Sequence, residues 1–160
     1  LDAGVIYKGY HSDAARTHAV GEVSEEAKKL IQVTKECFFE GIKYAKAGNH
    51  LFDISGAIGR YAEERGYGVV RDLCGHGIGT ALHEAPEIPN YEVGRKGVKL
   101  RPGMTLAIEP MINIGTYEVD WLDDDWTVVT RDGSLSAHYE NTILITEGEP
   151  RILSLTCDNE

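Results

Sequence analysis

Five side chains able to bind a metal, Asp2, Asp13, His76, Glu109 and Glu140, stand in local settings that would aim them at one point. No other feature limits the fold so strongly. Carboxylates gathered in one place repel by roughly 4 kcal/mol per close pair at an effective dielectric near 20. A fold that collects four of them must therefore also collect cations. With one imidazole and no sulfur the set is wrong for a structural zinc knot and suits oxygen-loving divalent ions that activate a water. Two such ions cancel the four negative charges and leave His76 neutral, whereas a single ion leaves the site strongly negative. The charge count favours a dinuclear site, with a hydroxide bridging ions about 3.5–4 Å apart.

Residues 2–7 and 10–17 are rich in aromatic and β-branched side chains and flank Lys8-Gly9, a two-residue turn. If the runs pair across it, Asp13 lies opposite Gly4. Asp2 shares a face with Gly4, so the two aspartates become diagonal neighbours within reach of one ion. The Gly75-His76-Gly77-Ile78-Gly79 run holds an imidazole between glycines, which let backbone and substrate come close and leave a ring nitrogen accessible. A phosphate loop is disfavoured, because no Lys-Ser/Thr and no strand-to-helix context follows. His83 and Glu84 add a second imidazole nearby. Glu109 closes the apolar strand 105–109, and Glu140 lies inside a buried strand over 137–145, sharing a face with His138 and Thr142. A buried carboxylate needs a partner. Taken singly, each of these residues has an ordinary explanation: an edge charge, a structural histidine, an ion pair. Their joint occurrence is what points to metal.

Ser24 is the expected N-cap of a helix with Glu25 and Glu26 in its first turn, an apolar stripe from Ala27 to Ala45 and Gly48 as its stop. A second helix is expected over 53–65. Strand-like runs at 105–109, 126–130 and 137–146, broken by Pro102-Gly103 and Asp132-Gly133, complete an α+β layout read as one domain over 1–160. A net charge of −10 with no basic run argues against direct nucleic-acid binding, and no apolar stretch is long enough for a membrane span. Cys37, Cys74 and Cys157 lack CxxC spacing, which points to reduced thiols and a cytoplasmic location. The chain opens on Leu1-Asp2, already inside a strand-like run and without an initiator Met, and reads as part of something longer.

In order and interval, Asp2 with His11-Ser12-Asp13, Cys74 to Gly79 with His83-Glu84, Ile108-Glu109-Pro110-Met111, and Ser136-Ala137-His138-Tyr139-Glu140 resemble type I methionine aminopeptidases of the bacterial kind. The likeness runs through the whole chain. It implies the pita-bread fold, with two divalent ions (manganese, iron, cobalt or zinc) between its halves. By that match Asp2 would chelate one ion, His76 and Glu109 the other, and Asp13 and Glu140 both. The catalytic pair would be His83, contacting the scissile peptide, and Glu109, moving a proton. Trp126 and Leu82 would line the pocket for the methionine side chain, with Gly4 and Asn141 standing where Thr and His also occur.

The same resemblance implies removal of the initiator methionine from nascent peptides whose second residue is small, with transient contact to the ribosome. It further implies a front portion preceding Asp2 that completes the fold of a monomeric enzyme. Without it the chain is expected to self-associate, to bind metal incompletely and to turn over poorly. Two other readings stay open: an Xaa-Pro aminopeptidase or prolidase, and a non-catalytic binding module of the same fold.

Overall fold

The computed structural model describes residues 1–155, so Cys157 lies outside the described residues. Strands β1 (Asp2–Tyr7) and β2 (Tyr10–Ala15) pair in the expected register, with Gly4 opposite Asp13. Lys8 and Gly9 take φ values of 51° and 83°, the two left-handed residues that a type I′ turn requires. Asp13 and Ala15 turn inward, while β1 is exposed throughout, including Val5, Ile6 and Tyr7.

Helix α1 (Glu25–Ile42) begins where expected: the Ser24 hydroxyl accepts from the Ala27 amide at 3.1 Å, and Glu25 and Glu26 occupy the first turn. Leu30, Thr34, Phe38, Ile42 and Ala45 of the expected stripe are buried, Val33 and Cys37 join them in the core, and Ala27 and Ile31 lie at the margin. The helix stops at Ile42, short of Gly48. Helix α2 (Leu51–Glu63) starts earlier than expected, because Asp53 caps it from within: its Oδ2 accepts from the His50 amide at 2.8 Å.

The helices touch closely at Gly41. A Cβ there would stand 2.6 Å from Ile58 Cγ1 and 3.3 Å from Ile54 Cγ2, both in fully buried side chains. Gly41→Ala is therefore expected to destabilise by about 1–3 kcal/mol through overpacking, despite alanine's better helix propensity. Thermal denaturation checks this: a raised melting temperature would mean the contact has slack.

Ten further strands follow: β3 (Gly68–Val69), β4 (Gly75–Gly77), β5 (Glu84–Ile88), β6 (Thr105–Ile108), β7 (Met111–Asn113), β8 (Val119–Trp121), β9 (Val128–Thr130), β10 (Ser136–His138), β11 (Asn141–Leu144) and β12 (Arg151–Ile152). Five of them form a sheet in the order β12-β11-β6-β4-β5, three another in the order β10-β7-β3, and β8 pairs with β9 as a hairpin. The helices lie against the three-stranded sheet, α1 on β7 and β10 and α2 on β3. Leu30, Phe38, Ile58, Leu106, Ile112 and Ile143 belong to the shared core.

The single strand expected over 137–146 is in fact two. The chain leaves the smaller sheet after His138 and joins the larger one at Asn141. The reverse crossing occurs at Glu109-Pro110, between β6 and β7, where Pro110 has no N–H to continue a ladder. At the first crossing the Tyr139 amide donates to Pro110 O (3.2 Å) and the Glu140 amide to Ala15 O (2.9 Å), so the two crossings and the hairpin hold one another. Both glutamates thus sit at the points where the backbone passes between sheets. The strand expected over 126–130 is shorter as well, because the amides of Trp126 and Thr127 donate to Asp124 Oδ1 at 3.0 and 2.7 Å.

Candidate metal centre

Asp13, His76 and Glu140 are all buried, and each brings one ligand atom to within 4.8 Å of the others'. Asp13 is anchored through its backbone: its amide donates to Thr142 Oγ1 (2.9 Å), and that hydroxyl donates to Asp13 O (3.0 Å). Glu140 is anchored by Arg16, whose guanidinium donates to Glu140 O and to Asn141 Oδ1 (2.6 Å) and lies 4.0 Å above the Tyr139 ring. No local sequence pattern marks Arg16, because its partners are far away along the chain.

His76 is held inside the larger sheet, paired to β5 on one side and β6 on the other. A Cβ at Gly75 would collide with Ala107 O and one at Gly77 with Ala85 O. Of the two roles the sequence suggested for the flanking glycines, the close approach of neighbouring backbone is the one this packing shows. The ring's Nδ1 lies 2.9 Å from Gly77 O. In a neutral imidazole that contact places the proton on Nδ1 and leaves a lone pair on Nε2. Nε2 faces Glu109 Oε1 at 3.5 Å. Two electron-pair donors facing each other need a proton or a metal ion between them.

The electrostatics agree. Burial, then the charges of Glu109, Asp13 and Asp2, push the Glu140 carboxyl up to about 9, with Arg16 pulling the other way. Burial and then Asp2 also raise Asp13, against the Ala14 amide and the two histidines, His76 and His83. A carboxyl that keeps its proton at neutral pH beside three other carboxylates is a site short of positive charge. The oxygen-rich donor set, its one lone-pair imidazole and this deficit together fit divalent cations.

The remaining sequence candidates surround this cluster. Asp2 is exposed, lines the same cleft of about 1300 Å³, and its charge reaches both Asp13 and Glu140. The His83 ring stands edge-on to His76, with centroids 4.4 Å apart at 78°. His83 lines the cleft too, as does Trp126, which is 85% exposed. Leu82 lies against the hairpin, its Cδ1 3.2 Å from where a Cβ at Gly4 would stand. Sequence reasoning missed a part of the cleft wall formed by Leu51, Phe52, Arg95 and Val98. A helix start and a loop meet there, and no spacing within either announces it.

This arrangement has close relatives. The chain is 59% identical to a methionine aminopeptidase of Clostridium acetobutylicum over 97% of its own length and 62% of the relative's. It is 50% identical to methionine aminopeptidase 1 of Bacillus subtilis, over 92% of this chain and 59% of that one. Among solved structures, methionine aminopeptidase from Thermotoga maritima superposes with a TM-score of 0.94 at 49% identity, covering 97% of this chain and 62% of that one. Prolidase from Pyrococcus furiosus superposes at 0.75 with 28% identity, covering 97% and 40%. The fold is thus the pita-bread fold expected, and the chain spans about three-fifths of the methionine aminopeptidases it matches. A family model described as metallopeptidase family M24 matches residues 1–147, and the chain belongs to that family.

Proposed function

We propose that this chain carries the metal centre of a methionine aminopeptidase that removes the initiator methionine from nascent peptides with a small second residue. The observation that carries this is the lone-pair face of His76 turned on Glu109, with Asp13 and Glu140 gathered beside it. Asp2, Asp13, His76, Glu109 and Glu140 would hold two divalent ions (manganese, iron, cobalt or zinc). Bound there, the ions would supply Lewis acidity toward the peptide carbonyl and make a water nucleophilic at neutral pH.

The chain's own groups do the rest. Glu109 takes the proton lost from the attacking water and returns it to the leaving amine. His83 donates a hydrogen bond to the scissile peptide, a role supported by its contact with His76 at the cleft wall. Trp126 and Leu82 shape the pocket for the methionine side chain. The substrates are N-termini of nascent chains, met at the ribosome in the cytoplasm by a monomeric enzyme whose catalytic domain includes residues 1–160. The apolar outer face of β1 favours self-association of the chain on its own.

Identity favours this reading over prolidase, at 59% for the clostridial methionine aminopeptidase against 28% for the Pyrococcus prolidase. Comparing hydrolysis of Met-Ala and Ala-Pro peptides by the whole protein tests it: the Met peptide is the expected substrate, and preference for Ala-Pro would reverse the assignment. His83→Ala is expected to leave metal content nearly unchanged while turnover falls by roughly 10²–10³, the cost of one oxyanion donor. Loss of metal in that variant would place His83 among the ligands instead.

A further inference from the structure

We infer that His138 is a positioning residue for the metal centre, holding the outer oxygen of Glu109 so that its other oxygen is presented beside His76. This rests on the metal-centre reading above and adds a residue outside the five candidate ligands.

Glu109 is flanked by two imidazoles. His76 Nε2 lies 3.5 Å from its Oε1, and His138 Nε2 lies 3.6 Å from its Oε2. The two rings differ in what they can offer. The His76 ring is fixed by Gly77 O, which leaves Nε2 as a lone pair facing the carboxylates. His138 Nε2 is a buried nitrogen with no hydrogen-bond partner. Buried polar atoms are seldom left unpaired, because each costs the desolvation of the group. The acceptor that faces it is Glu109 Oε2, and a shift of under about 1 Å brings the pair into the 2.7–3.2 Å range of an N–H···O bond.

The backbone supports the pairing. His138 ends β10, which pairs directly with β7, so that His138 stands opposite Met111, just past the Glu109-Pro110 crossing. Its own amide donates to Thr17 Oγ1 at 2.9 Å and its carbonyl accepts from that hydroxyl at 3.0 Å, which ties the residue to the segment following β2. The ring is thus carried by a braced backbone and lines the cleft beside Glu109. With Nε2 protonated and donating to Oε2, the carboxylate cannot rotate freely, and Oε1 stays on the His76 side. Hydrogen bonds of this kind to a ligating carboxylate commonly change metal affinity by 10–100-fold when removed.

Three forms of the chain separate the possibilities: wild type, His138→Gln, which keeps an N–H donor, and His138→Leu, which removes it. Each is titrated with Co²⁺ in a calorimeter, the visible spectrum of the bound cobalt is recorded, and the metal-free melting temperature is taken as a control of folding. The expected result is that H138Q keeps the stoichiometry, spectrum and, within about threefold, the affinity of wild type. H138L should bind about 10–100-fold more weakly, with an altered spectrum and an unchanged metal-free melting temperature. Wild-type binding and spectrum in H138L would overturn the inference. So would equal loss of an ion in H138Q and H138L, which would make His138 a direct ligand, or a fall in melting temperature that alone accounts for the loss. If wild type itself takes up no Co²⁺, the metal centre fails; if wild type and H138L bind alike, only the role of His138 does.

Discussion

Replacing Glu140 by Gln in the whole protein is expected to abolish hydrolysis of a Met-Ala peptide while leaving the metal-free fold intact. The two effects separate because Glu140 has different partners in the two states. In the metal-free protein its carboxyl already keeps a proton at neutral pH, pushed up to about 9 by burial and by three neighbouring carboxylates. A neutral amide of the same size then costs little, and the Arg16 contact is retained because it goes to the backbone carbonyl. With ions present, Glu140 would supply one of the negative charges that hold them, and an amide supplies none. Turnover should fall by more than about 10³-fold, beyond what one oxyanion donor provides, together with metal occupancy measured by emission spectroscopy. Two bound ions and normal turnover in this variant would remove Glu140 from the centre.

The second large effect is a reversal of pH dependence by metal. Glu140 carries a folded-state value near 9 against 4.5 for an ordinary glutamate. Between those values the folded protein holds a proton that the unfolded chain has lost. Stability of the metal-free protein therefore falls as pH rises through that window, with a limiting slope of about 1.4 kcal/mol per pH unit for one proton. For a chain of this size that is about 3–5 °C of melting temperature per unit. Below about pH 4.5 both states hold the proton and this contribution is complete. The raised Asp13 acts in the same direction.

Divalent ions take the proton's place, so binding should release about one proton at pH 7 and tighten as pH rises. Melting curves at pH 6, 7 and 8, with and without Mn²⁺, check this. A metal-free melting temperature that climbs across the series would show that the carboxylates are already ionised and paired.

Local features were the most legible in the sequence. The Lys8-Gly9 turn sets the pairing of β1 with β2, and with it the diagonal placement of Asp2 and Asp13, because a two-residue loop leaves one register. The Ser24 cap marks the start of α1 for the same reason: its partner lies within one turn. What stayed hidden depends on contacts distant in sequence. The break at Tyr139-Glu140 is imposed by Ala15 O and Pro110 O, so an unbroken apolar run concealed a passage between two sheets. The glycines around His76 announced a close backbone approach, but not that the strands approaching are β5 and β6. Arg16 acts on Glu140 from far away along the chain and lies in no motif, while His138 lies in the Ser136-to-Glu140 run but its pairing with Glu109 depends on a contact distant in sequence.

Diffraction from a crystal of the whole protein soaked in Mn²⁺, recorded near the manganese absorption edge, tests the central claim most directly. The account predicts two anomalous peaks about 3.5–4 Å apart, enclosed by Asp2, Asp13, His76, Glu109 and Glu140. Manganese bound only elsewhere, or no anomalous peak at these residues, would contradict it.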